Sequence, residues 1–104
     1  MSQDGWIKLH RSIFNWEWYT NPIVARVFIH ILLNAKPEDS MVKMTLVKRG
    51  EYMASRRQLS IETGLSGQNV RTAIQKLQAT NDITCGPVGL RTIYAVVNYD
   101  KYQD

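Results

Sequence analysis

Apolar residues recur at helical spacing from position 23 to position 35. Ile23, Val24, Val27, Phe28, Ile31, Leu32 and Ala35 share one side of a 3.6-residue repeat, and Arg26, His30 and Asn34 form the opposite stripe. Asn21-Pro22 supplies a cap and a first-turn proline, and Lys36-Pro37 ends the run. This helix is the expected centre of the core. Before it, GWIKLHRSIFNWEWYT crowds Trp6, Ile7, Leu9, Ile13, Phe14, Trp16 and Trp18 together. An extended approach and a single helical turn, packed on the first helix, would keep these groups from water; a partner surface is the alternative. MVKMTLV then alternates, with Val42, Met44 and Leu46 against Lys43 and Thr45, and reads as a strand. Lys48-Arg49-Gly50 reads as a turn and Glu51-Tyr52-Met53 as a second short strand.

Ser55 opens a second helix, with capping-box spacing through Gln58. Gly64 suits the left-handed residue that stops it. After one intervening residue, Leu65, Ser66 caps a third helix whose buried stripe is Val70, Ala73, Ile74 and Leu77, with Asn81 as its stop. Ile83 to Cys85, a tip at Gly86-Pro87-Val88-Gly89, and Leu90 to Val97 read as a hairpin. Helix, strand, helix, corner, helix, hairpin is the order of a winged helix-turn-helix. The expected fold is α+β, a three-helix core with a small antiparallel sheet and a C-terminal β-hairpin wing. One domain spans 1–104, with residues 1–20 as the aromatic segment packed on it and 98–104 as a polar tail.

Length and composition agree with one core: 104 residues, 44% hydrophobic and 21% charged. The net charge is +4, and it is unevenly placed. Lys43, Lys48, Arg49, Arg56, Arg57, Arg71 and Lys76 face only Glu51 and Glu62 between positions 43 and 76, so the excess gathers around the Gly64–Ser66 corner. Cys85 is the only cysteine, and His10 and His30 are the only histidines, so no zinc-finger spacing exists. No apolar run reaches the roughly 20 residues of a membrane span, and MSQDGW lacks a signal-peptide layout. A soluble cytoplasmic protein is expected. No phosphate loop, Ser/His/Asp arrangement or carboxylate cluster is present, so no enzyme, metal or cofactor is expected.

The corner gives the third helix an outward face. With Leu65 anchored and the aliphatic stripe inward, Gly67, Gln68, Asn69, Arg71, Thr72, Gln75 and Lys76 turn to solvent or to the flanks. Gln and Asn pair with adenine edges and Arg with guanine in the major groove, which makes Gln68, Asn69, Arg71, Thr72, Gln75 and Lys76 the candidate readers. Arg56, Arg57 and Ser66 suit phosphate oxygens, and Arg91, near the hairpin tip, is placed for a phosphate or the minor groove. Each alone is an ordinary surface residue. The signal lies in the conjunction of corner, acid-free face and hairpin.

Three stretches carry a family resemblance: GWIKLHRSIFNWEWYTNPIVARVFIHILLNA, VKRGEYMASRRQLSIETGLSGQNVRTAIQKLQ and VVNYDKYQ. Together they resemble the N-terminal winged-helix domain of phage replisome organisers and DnaD-like primosomal replication proteins, over nearly the whole chain. The opening Trp-Ile-Lys-Leu-His-Arg and closing Asn-Tyr-Asp-Lys-Tyr are the most specific parts. The resemblance implies a role in DNA replication initiation in a phage or mobile element. It implies double-stranded origin DNA and replication proteins as partners, and self-association into a homo-oligomer. It also implies either a fragment of a longer protein or a small stand-alone one. Three positions depart from the pattern: Ser60 for a small apolar residue, Ile61 for a charged one and Asn69 for Thr. Two rival readings stay open, a protein-interaction or oligomerisation module and a transcriptional regulator.

Overall fold

The computed structural model describes residues 5–103; residues 1–4 of the N-terminal segment and Asp104 of the expected tail lie outside them. Helix α1 spans Pro22–Asn34, and the Asn21 side chain accepts from the Val24 amide at 3.1 Å, as the capping signal requires. Val24, Val27, Phe28, Ile31 and Leu32 are buried along it. Helix α2 (Arg56–Thr63) and helix α3 (Gly67–Ala79) follow, each capped by a serine: Ser55 accepts from the Gln58 amide and Ser66 from the Asn69 amide. Val70, Ala73, Ile74 and Leu77 face inward on α3, as their spacing predicts. Asn81 stands in the left-handed region past the helix end, at φ +59°.

Strands β1 (Ser40–Val42) and β2 (Thr45–Val47) form their own antiparallel pair. The single strand expected over MVKMTLV is therefore two strands joined by a turn. Lys43 and Met44 both have positive φ, +49° and +64°, the geometry of a tight two-residue hairpin. Such turns favour Asn and Gly, so Lys-Met gave no signal, and the alternation read through it. The turn pairs Met41 with Leu46 and leaves Met41, Met44 and Leu46 exposed; Val47 is buried.

The second sheet has strand order β3-β5-β4, all antiparallel, with β3 at Glu51–Ala54, β4 at Ile83–Val88 and β5 at Arg91–Val96. Here the expected tip was too long. Gly86 and Pro87 lie within β4 and pair with Ile93 and Thr92, and the chain reverses through Gly89-Leu90. Proline is tolerated because β4 is an edge strand. Tyr52 and Tyr94 are register partners and add their rings to the core, where the Tyr52 ring meets His30 of α1.

Both chain ends pack more selectively than their composition predicts. In the N-terminal segment, Ile7, Trp16 and Trp18 pack against the core, whereas Trp6, Leu9, Phe14 and Tyr19 stay exposed, Trp6 at 82%. A 3-10 turn at Arg11–Asn15 supplies the expected helical turn. The Lys8 amide donates to the Tyr102 carbonyl at 2.8 Å, fastening this segment to the other end of the chain. The tail is less polar than expected: Tyr99 is buried, and half-buried Tyr102 sets its ring edge-on to Phe28 at 5.8 Å. Tyr99 lies over the turn before β3. Gly50 there has φ +82°, and a Cβ would stand 3.0 Å from the Tyr99 Cβ. Arg49 closes the same contact, pairing with Asp100 at 2.7 Å, donating to the Pro37 carbonyl and lying over the Tyr99 ring. The fold is α+β, with three α-helices and two small antiparallel sheets among the described residues, consistent with a winged-helix-like class.

Candidate nucleic-acid interface

The corner between α2 and α3 is built from hydrogen bonds. Gly64 sits at φ +75°, and its amide donates to the Ser60 carbonyl at 3.0 Å. That left-handed residue lets the chain reverse without a Cβ penalty. The Ser60 hydroxyl reaches across and donates to the Leu65 carbonyl. Ser60 is thus half-buried as a clasp, which gives its departure from the apolar pattern a structural use. Thr63, 3% exposed, donates to the Leu59 carbonyl at 2.6 Å and accepts from the Leu65 amide at 3.3 Å. Arg26 of α1 donates through Nε to the Thr63 carbonyl at 2.7 Å, tying the corner to the central helix. Nothing in the sequence linked Arg26 to residue 63.

On α3 the buried stripe fixes the opposite face. Gln68, Arg71 and Gln75 are exposed, and Asn69, Thr72 and Lys76 are half-buried. The helix carries no acid, and no strand covers Gln68, Arg71 or Gln75. Glu62, the one acid of α2, is drawn toward α1 and β3. It accepts from Gln58 Nε2 at 3.1 Å and from the Tyr52 hydroxyl at 3.0 Å, and pairs with His30 Nε2 at 2.8 Å. The Gln58 and His30 bonds hold its carboxyl below the ordinary value, while burial pushes the Tyr52 phenol upward. Gln58 is therefore committed to Glu62, and only the serine half of the capping box forms.

The remaining candidates are spread around this helix. Arg56 and Arg57 occupy the first turn of α2 and are exposed, as is Ser66, whose hydroxyl caps α3. Arg91 is half-buried at the start of β5, opposite Val88, one residue from the hairpin tip, where Leu90 is 97% exposed. Lys76 is engaged within the domain: its Nζ lies over the Trp18 ring, 5.7 Å from the centroid.

That contact belongs to a cluster the sequence did not disclose. The Trp18 indole donates to the Thr80 hydroxyl at 3.0 Å, and the Trp16 indole lies 3.3 Å from both Asp82 carboxylate oxygens. The Thr80 hydroxyl also bonds Asp82. The partners are more than 60 residues apart, beyond the reach of local pattern. Cys85 is half-buried, and burial raises its thiol, so it is held as the neutral group. Among the described residues, no group of three or more His, Cys, Asp or Glu side chains could hold a metal ion. Nor is any helix long and apolar enough to cross a membrane. No family model, no curated protein and no solved structure matches this chain.

Proposed function

We propose that this chain is a winged helix-turn-helix protein that binds double-stranded DNA without catalysis. On this reading α3 enters the major groove and the β4–β5 hairpin is the wing. The observation that carries it is the exposed, acid-free face of α3, set at a hydrogen-bonded corner beside the Arg56-Arg57 pair. An α-helix fits the major groove, and amide and guanidinium groups match base edges and phosphates there. Arg56, Arg57 and Arg91 brace the helix. The sequence resemblance to replisome organisers and DnaD-like proteins assigns the DNA to replication initiation in a phage or mobile element.

A salt-series titration against duplex DNA tests this. With about five phosphates neutralised, log affinity falls against log salt with a slope of roughly −4 to −5. Replacing Arg71 and Lys76 together with Ala weakens binding while the domain stays folded. Wild-type affinity in that double variant would reject the docking face.

A second reading, a protein-interaction or self-association module, is favoured by a separate observation. Trp6, Leu9, Phe14 and Tyr19 are exposed near one chain end, with Phe14 and Tyr19 paired edge-on at 5.1 Å. Molar mass followed across concentration separates the two, since a concentration-dependent oligomer with no duplex affinity favours the second.

A further inference from the structure

We infer that the α3 face selects A·T base pairs in the major groove, with Gln68, Thr72 and Gln75 as readers and Arg71 and Lys76 as phosphate contacts on either side. This rests on the docking proposed above and adds the class of sequence recognised. The ground for it is how the residues are ordered around the helix. Val70, Ala73, Ile74 and Leu77 define the inward direction. At 3.6 residues per turn, Gln68, Thr72 and Gln75 then lie roughly 150–170° from it. They form an outward ridge that bears no charge. Arg71 and Lys76 lie about 110° from the inward direction on opposite sides. The cations therefore flank the ridge.

This arrangement matches the cross-section of the groove, with base edges at its floor and phosphates along both walls. Arginine is the usual reader of guanine, but Arg71 stands at a wall. Lys76 stands at the other, its Nζ over Trp18 on the side of the N-terminal segment. What remains for the floor is two carboxamides and a threonine. A glutamine carboxamide pairs with adenine through N6 and N7, and a threonine methyl packs on the thymine methyl. Neither discriminates for guanine. Gln68 and Gln75 are seven residues apart, about 10.5 Å along the axis, which spans about three base-pair steps of roughly 3.4 Å. The contacted element is thus a short A·T run with adenines near its two ends.

The test uses hairpin duplexes with identical closed ends and a central A·T, G·C or inosine·cytosine segment, titrated by fluorescence anisotropy at one salt concentration. Inosine·cytosine resembles G·C in the major groove and A·T in the minor groove, so it separates major-groove readout from minor-groove shape. The expected result is binding to A·T at least about tenfold tighter than to G·C, with inosine·cytosine behaving as G·C. Substituting 7-deazaadenine for adenine, which removes N7, then abolishes the preference. Gln68→Ala with Gln75→Ala abolishes it too, with circular dichroism confirming the fold. Equal affinity for A·T and G·C overturns the inference and leaves DNA binding standing. Inosine·cytosine behaving as A·T overturns it in the same way, by moving the discrimination to the minor groove. Failure to bind any duplex overturns the docking itself.

Discussion

Thr63→Val tests the corner with the least disturbance to packing. The two side chains have nearly the same shape, so no cavity opens and the effect isolates the hydroxyl. That hydroxyl donates to Leu59 and accepts from the Leu65 amide in a residue 3% exposed. Losing the first bond costs about 1 kcal/mol. The Leu59 carbonyl keeps its helical partner, but the half-buried Leu65 amide loses its acceptor, which costs about 1–3 kcal/mol. The added buried methyl returns about 0.8 kcal/mol. The net is a destabilisation of about 2 kcal/mol, or roughly 8–16 °C in Tm for a domain of this size. Transfer energetics alone predict the opposite sign, so thermal unfolding decides between the two accounts. Amide exchange supplies a local check, since Leu65 must lose protection ahead of the α1 core. An unchanged or raised Tm, with Leu65 still protected, would refute the claim that Thr63 holds the corner.

Two glycines with similar backbone angles should behave differently. Gly64→Ala meets nothing within 4 Å at φ +75° and should cost about 1 kcal/mol, the left-handed penalty less the entropy gained in the unfolded chain. Gly50→Ala adds a collision with the Tyr99 Cβ at 3.0 Å and should cost about 2–4 kcal/mol; equal denaturation midpoints for the two variants would contradict this. For Glu62, the folded carboxyl is held below its ordinary value, so its stabilisation is present above that value and is lost as pH falls through the folded one. Glu62→Gln should flatten the acid limb of a stability–pH curve; an unchanged limb would assign the acid sensitivity elsewhere.

The helices were legible because each carries its boundaries locally. Asn21, Ser55 and Ser66 each take the cap bond that their position predicts, and Gly64 and Asn81 each take the left-handed angle. The inward stripe of α3 follows from period alone, and with it the exposure of Gln68, Arg71 and Gln75. The strands were less legible, since turn geometry depends on a few residues. Lys43 and Met44 adopt a turn that neither favours, and Gly86-Pro87 continues a strand where such pairs usually end one. The ends were legible only in outline, for a different reason. Composition shows how many large apolar groups a segment holds, but not which of them reach the core. Trp16 and Trp18 do and Trp6 does not, and in the tail Tyr99 does and Asp100 does not.

The two readings of this molecule meet at the C-terminal end of α3, and this constrains how they can be separated. Removing the N-terminal segment would abolish a self-association surface at Trp6, Leu9, Phe14 and Tyr19. It would also remove the indole donors that Thr80 and Asp82 accept and the ring beneath Lys76. Water replaces both indoles there, but the packing of Trp16 and Trp18 against the core is lost, so the truncated chain would carry a weakened α3 terminus and a released Lys76. Loss of DNA affinity in it would follow under either reading. Point changes at the exposed aromatics avoid this, because none of Trp6, Phe14 and Tyr19 takes part in the Thr80–Asp82 cluster. Polar substitutions there act on the outer surface alone. Oligomer loss with duplex affinity retained would mark two independent surfaces, and joint loss would mean that DNA binding requires the assembled form.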